Sequence, residues 1–277
     1  MRYTTQKPAP LLTQLEAMSP DSSKSTLRSW LKSGRIEVNG IQAKAPHQVV
    51  EKDSSICLTP KKPQPLADGV QVLYLDQEIV VIDKPEGLLS VETPRIRDRC
   101  VHAILKRAYY PSRVFPVHRL DRDTSGAMVF ALTESAAHSL KEQFSSHDIV
   151  REYLALIQGQ IEPETGTIDT FLYEDTNYNV HVHKTQGKRA ITHYKTLAKR
   201  KKTTLLELAL ETGKKNQIRV HLAHLGHPVI GDKKYGSDSD PFGRLALHAK
   251  TLSFVHPTTL KPMHFISTPP SLFGENL

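Results

Sequence analysis

Cysteine is scarce in this chain: Cys57 and Cys100 stand far apart, with no C-x-x-C spacing. That argues against a disulfide scaffold or a cysteine-based zinc site and fits a reducing compartment. Long apolar runs are missing too, and the opening "MRYTTQKPAP" lacks the apolar stretch of a signal peptide. Neither a membrane-spanning helix nor a secretory leader is therefore expected, and the expected compartment is the cytoplasm. No internal repeat is visible. Acidic residues are the minority, 29 against 37 Lys and Arg, which leaves a net charge of +8 and points to an acidic partner, RNA or DNA being the commonest.

What is present suits an ordinary globular chain. With 277 residues, 38% apolar and 24% charged, a large domain plus a small one is expected. The composition breaks at "TPKKPQPLADG", residues 59–69, where prolines and lysines read as an exposed linker. The predicted division is 1–60, a linker over 61–69, and 70–277. The first 62 residues hold ten Lys and Arg against five Asp and Glu, so much of the positive charge is concentrated there.

Within that first part, "DSSKSTLRSWLKSGRIEVNGIQAK" predicts a helix capped by Ser22 or Ser23, with Leu27, Trp30 and Leu31 as its apolar stripe. Gly34 suits a left-handed stop; Ile36 and Val38 alternate as a strand, and Asn39-Gly40 is a favoured hairpin turn. Lys24, Arg28 and Lys32 recur every four residues, with Arg35 just beyond. A solvated helix face is the plain explanation. A cationic face without an interleaved carboxylate also suits docking of phosphates.

The remainder alternates strands with a few helices. Strands are expected in "VQVLYLDQEIVVIDK", "GAMVFAL", "REYLALIQGQI" and "TTLLELALETG", the last turning Leu206, Leu208 and Leu210 inward. Helices are expected in "VHAILKRAYY", in "TESAAHSLKEQFSSH" with Ala136, Leu140 and Phe144 on one side, and in "IRVHLAHLG" with Ile218, Leu222 and Leu225. The predicted class is α+β with a long mixed, mostly antiparallel sheet.

Three chemistries fail on local pattern. His221, His224 and His227 recur every third residue, but His227 lies past the helix-ending Gly226 and no HExxH pattern accompanies them, so no metal is expected. "TGKKN" lacks the upstream glycine and the Ser/Thr of a Walker loop, although Lys214 and Lys215 at a helix start could receive a phosphate. Asp121 and Asp123 superficially match a haloacid-dehalogenase Asp-x-Asp, but the preceding "PVHRL" is too polar for its strand. In "HRLDRDTSG" a surface salt-bridge cluster competes with a single reactive aspartate kept ionised by neighbouring arginines.

Taken in order, "VVIDKPEGLLSV", "HRLDRDTSG", "REYLALIQG", "LETGKKNQIRVHLAHLGHPVIGDKKYG" and "RLALHAKTLSFVHP" resemble the motifs of the RluA family of pseudouridine synthases over about residues 70–258. The first part, roughly 10–58, resembles the small RNA-binding domain of the ribosomal protein S-four type, most specifically in "SGRIEVNG". Lys214 stands where that family usually has arginine, and Asn216 where it has histidine, which puts RNA contacts or substrate choice in question. The resemblance implies isomerisation of uridine in RNA without cofactor or metal. It makes Asp121 the essential carboxylate, Tyr153 the ring that stacks on uracil, and Arg219 the partner of Asp121. Arg119, two residues before Asp121, is then placed to contact the RNA where the base left, and Thr124-Ser125-Gly126 is read as the turn that fixes the aspartate. The resemblance implies large-subunit ribosomal RNA as substrate, with transfer RNA as runner-up; the sequence is silent on oligomeric state, and a monomer is the default. The rival class is a non-catalytic RNA-binding or ribosome-assembly protein.

Overall fold

A computed structural model describes residues 2–43, 45–59, 65–94 and 96–274. The chain divides into two compact units, Met1–Pro63 and Gln64–Leu277. Residues 61–64 of the expected linker lie outside the described residues; Ala67–Gly69 form a short 3-10 turn.

The first unit contains β1 (Arg2–Thr4), β2 (Ala9–Pro10), α1 (Leu11–Met18), α2 (Lys24–Lys32), β3 (Ile36–Val38), β4 (Ile41–Gln42), β5 (Val49–Val50) and β6 (Ser55–Leu58). Ser23 caps α2 by accepting from the Thr26 N–H, as its position in the sequence predicts. Leu27 and Leu31 turn inward onto Leu11 and Leu15 of α1 and onto Ile36 and Ile56 of the sheet β1-β6-β3-β4. Asn39 and Gly40 both take positive φ, 51° and 81°, which closes the β3–β4 hairpin with the twist its strands need. Helix α1 is not among the elements expected above, although Leu11 and Leu15 stand one turn apart. The basic face of α2 carries no carboxylate of its own, but α1 supplies one from outside it: Glu16 pairs with Lys24 at 3.3 Å.

The second unit runs β7 (Gln71–Leu75), β8 (Ile79–Lys84), α3 (Val101–Ala108), β9 (Phe115–Pro116), β10 (Ser125–Ala131) and α4 (Glu134–Ser145). It continues with β11 (Val150–Gln158), β12 (Thr165–Glu174), β13 (Val180–His183), β14 (Lys188–Lys199), β15 (Thr203–Leu210), α5 (Gln217–His224), β16 (Leu247–Val255) and β17 (Pro262–Ile266). One long sheet follows the order β13-β12-β14-β15-β11-β16-β10-β8-β7, with β17 beside β16 and β9 beside β10. Its pairings are antiparallel except β10 with β16, so the expected mixed, mostly antiparallel α+β sheet is present. Strand β8 is covered on both faces. Val80 and Ile82 pack in one cluster with Ile104 and Leu105 of α3; Ile79 and Val81 pack in another with Ala136 and Leu140 of α4. This double covering explains its near-continuous apolar sequence.

Several expectations need adjustment. Leu206 and Leu208 are buried, but Leu210 is only half-buried, and Leu205 on the other face of β15 is covered too. Leu225 follows the last residue of α5 and is 40% exposed. The run Thr124-Ser125-Gly126 is not a turn, because Ser125 already begins β10. The turn is Asp121–Thr124, closed by the Thr124 N–H donating to the Asp121 carbonyl at 3.2 Å. Gly126 is needed for a different reason: its φ is +121°, and a Cβ there would lie 2.2 Å from the Ala249 carbonyl oxygen, in the close parallel join to β16. Among the described residues, no helix is long and apolar enough to cross a membrane.

Gly126→Ala should therefore destabilise the second unit by about 2–4 kcal/mol, through a strained φ and a backbone clash. The denaturant midpoint of the transition that includes β10 measures it.

Candidate active site

The loop before β10 delivers Asp121, and buried polar anchors hold that loop. Lys84, at the end of β8, is fully buried and donates to the carbonyls of Pro85, Leu88 and Arg122 at 2.7–2.8 Å. Burial pushes its amine down to about 7, while the charges of Asp123 and Asp121 oppose that shift; three carbonyl acceptors match the three N–H bonds of the ammonium form. Ser90 accepts from the Leu120 N–H and donates to the Leu120 carbonyl, at 3.0 and 2.7 Å. The Lys-Pro-Glu-Gly turn and the Asp121 loop, separate in sequence, are thus joined by hydrogen bonds.

The remaining groups come from α5 and β11. Asp121, Tyr153 and Arg219 all line one pocket of about 480 Å³. Arg219 Nη1 lies 3.5 Å from Asp121 Oδ2, as expected. Its tight partner is a residue that the sequence does not single out: the guanidinium donates to both oxygens of the fully buried Asp232, at 2.7 and 2.8 Å. Tyr235 lies against the same guanidinium, 5.1 Å from ring centre to Arg219 Cζ. Burial disfavours the Arg219 charge, but hydrogen bonds and charge from Asp232, with Asp121 behind it, outweigh that and hold its pKa above the ordinary value. Asp232 lies in "GDKKYG", inside the segment that carried the family resemblance; no local pattern marks it, because only the fold brings it beneath α5.

Asn216 is a second group whose place in the site the sequence does not predict. It takes a left-handed φ of 54° directly before α5 and is buried. Its amide nitrogen is assigned toward Asp121, since the reverse orientation would press an amide oxygen against two carboxylate oxygens. In that orientation it donates to Asp121 Oδ2 at 2.9 Å and Oδ1 at 3.1 Å, while its oxygen accepts from the Tyr235 hydroxyl at 2.8 Å. Gln217 fixes the turn from within: its Oε1 accepts from Thr212 and from the Lys214 N–H, and its amide nitrogen donates to the Ile191 carbonyl.

The arginines around Asp121 do not decide its acidity alone. Burial raises its pKa above the ordinary aspartate value, and the charges of Arg219 and Arg119 offset this only in part. The expectation that arginines simply keep it ionised thus understates desolvation. Tyr153 is likewise raised, chiefly by burial, and stays a neutral phenol.

The basic candidates divide. Arg119 is exposed beside the pocket mouth, and Lys214 lines the pocket half-exposed. Both lysines precede α5, which begins only at Gln217, and Lys215 is committed to an ion pair with Glu174. In the first unit, Arg35 donates to the Thr59 carbonyl at 3.0 Å and lies over the Trp30 ring, so it braces the unit as well as carrying charge. Two of the histidines considered as ligands have other partners: His221 shares hydrogen bonds with Thr192 and Thr170, and His227 meets the Gln158 carbonyl.

The model of a family described as RNA pseudouridylate synthase matches residues 78–224. A Bacillus subtilis protein named uncharacterized RNA pseudouridine synthase YlyB is 32% identical, with 94% of this chain and 90% of that protein covered. A Xylella fastidiosa protein named ribosomal large subunit pseudouridine synthase D is 35% identical over 92% of this chain and 84% of its own. Among solved structures, human RNA pseudouridylate synthase domain containing 1 aligns with a TM-score of 0.61 at 27% identity, covering 74% of this chain and 86% of that one.

In ¹³C NMR titrations the Asp121 carboxyl should change protonation above the ordinary aspartate range. Asn216→Ala removes two donors to the ionised form and should move that titration higher still. A downward or absent shift would refute the assigned amide contact.

Proposed function

Because the chain belongs to the RluA family of RNA pseudouridylate synthases, we propose that it converts uridine to pseudouridine in large-subunit ribosomal RNA, with Asp121 as the reacting carboxylate. The observation that carries this reading is convergence: three motifs distant in sequence bring Asp121, Tyr153 and Arg219 to the wall of one pocket. The ribosomal substrate is supported by the name of the relatives in Xylella fastidiosa and Escherichia coli, at 35% and 34% identity.

A uridine stacked in RNA is out of reach, so the target base leaves the stack and enters the pocket. Tyr153 offers its ring to the uracil. Asp121 acts on the nucleoside, as base or nucleophile, while the bond from N1 to C1′ breaks. The uracil turns, a bond forms from C5 to C1′, the proton on C5 leaves, and N1 ends protonated. Nothing is oxidised or reduced, and the chemistry calls for no group donor. Arg219 keeps the carboxylate oriented, and its own charge is secured from below by Asp232. Arg119 at the mouth meets the RNA from which the base departed, with Lys214 beside it. The first unit acts as an RNA grip through Lys24, Arg28, Lys32 and Arg35, and the protein works as a cytoplasmic monomer. Lys215, tied to Glu174, adds to the field more than it reaches for the RNA directly.

RNA tritiated at uridine C5 should release tritium with the wild-type protein. Asp121→Ala should lower release about 10⁴-fold or more while RNA binding persists. Release from transfer RNA but not ribosomal RNA would reassign the substrate, and failure on both would refute the enzymatic reading. Neutralising Lys24, Arg28 and Lys32 together should weaken binding and make its salt dependence shallower, by about 0.7 in log–log slope for each phosphate no longer neutralised. An unchanged slope would return α2 to a solvated face.

A further inference from the structure

Beside Tyr153 the pocket contains a cation that the reaction as described leaves unused. Arg151 stands two residues before Tyr153 on β11, so the alternation of the strand puts both on one face, and both line the pocket. It is only 9% exposed. Among the described residues, no carboxylate forms an ion pair with it, whereas Arg219 has Asp232, Arg244 has Glu86 and Lys215 has Glu174. Its partners are two backbone carbonyls, Leu210 and Glu211, both reached from Nη2 at 3.4 and 3.2 Å. Nε is buried with no acceptor.

The guanidinium is nevertheless held in place. It lies over the Phe144 ring, 5.7 Å from its centre. Gly213 makes room for it, since a Cβ there would fall 2.5 Å from Nη1. A buried, positioned guanidinium without a counter-charge is costly unless an anion arrives to offset the lost hydration. Asp121 is already engaged by Arg219 and Asn216. The anion must therefore come with the ligand, and the planar fork matches two oxygens of a phosphate.

We propose that Arg151 is the phosphate-binding residue of the pocket, taking a backbone phosphate of the nucleotide whose base lies against Tyr153. The proposal rests on RNA being the substrate. A phosphate anchored on Arg151 fixes how deeply the ribose enters, and so presents C1′ to Asp121. Gly213, in the Thr-Gly turn before α5, is then conformationally ordinary but sterically required, because it leaves space for the fork.

The test compares uridine 3′,5′-bisphosphate, which carries both flanking phosphates, with uridine, in NMR titrations of the full-length protein that observe arginine Nε–H signals. The bisphosphate should bind at least about 10-fold more tightly than uridine and shift the Arg151 signal. Arg151→Gln should weaken the bisphosphate about 10- to 100-fold, to the level of uridine, and leave uridine unchanged. If Arg151→Gln does not fold, Gly213→Ala, which keeps the charge but displaces the fork, should reduce the same preference. Equal binding of the two ligands, binding of neither, or an unaltered preference in a folded variant would overturn the proposal. Tritium release from RNA is measured separately. An inactive wild type that still prefers the bisphosphate through Arg151 would refute the catalytic reading and leave the phosphate site standing. An active wild type without that preference would do the reverse.

Discussion

The site depends on one buried charge being satisfied twice. Arg219 is bound through two hydrogen bonds to Asp232, which is wholly buried, and reaches Asp121 at 3.5 Å with its remaining nitrogen. Without Asp232, a guanidinium so deep in the protein would lose its hydration for a single, longer interaction. With it, the arginine is a fixed positive group against which Asp121 is oriented. The Asn216 amide adds two donors from another direction and is itself held by Tyr235, which also lies on the Arg219 guanidinium. Asp121 is thus held in a network of donors inside a site whose burial raises its pKa. A carboxylate in that condition is oriented yet incompletely stabilised, which suits the reacting role proposed for it.

The sheet supplies the rigidity this requires. Strands β8 and β10 are buried on both faces, so the loops at their ends inherit fixed starting points. Lys84 and Ser90 then connect one loop to the other, with carbonyls at Leu88, Leu120 and Arg122 as acceptors. These hydrogen bonds explain why a lysine can stand at the end of an apolar strand: its stem continues the core and its ammonium gathers carbonyls that would otherwise be unpaired.

Much of the fold is legible in the sequence because it follows local rules. The Ser23 cap, the Asn39-Gly40 hairpin, the apolar runs of β8 and β10 and the helical spacing of α3 and α4 each depend on neighbours within a few residues. The strands β12–β14 are not, since most of their residues are at least partly open to solvent and the apolar signal is diluted. In the site, Asp121, Tyr153 and Arg219 are identified through an ordered set of motifs. The Thr124–Gly126 segment passes for a turn in the sequence because the need for glycine comes from Ala249, a residue more than a hundred positions away.

Periodicity and composition, which survive when the chain is considered as a line, are enough for the class of fold and for the concentration of positive charge in the first unit. The family resemblance of the ordered motifs singles out the three groups proposed for the centre of the site. Folding adds that Asp232 is the principal partner of Arg219, that Asn216 faces Asp121, that Lys215 is paired, and that Arg151 lies buried without a counter-ion among the described residues. Each of those facts depends on which charges share a pocket and how much water they lose. Coulombic attraction and desolvation act through space, and their balance exists only once the chain has folded.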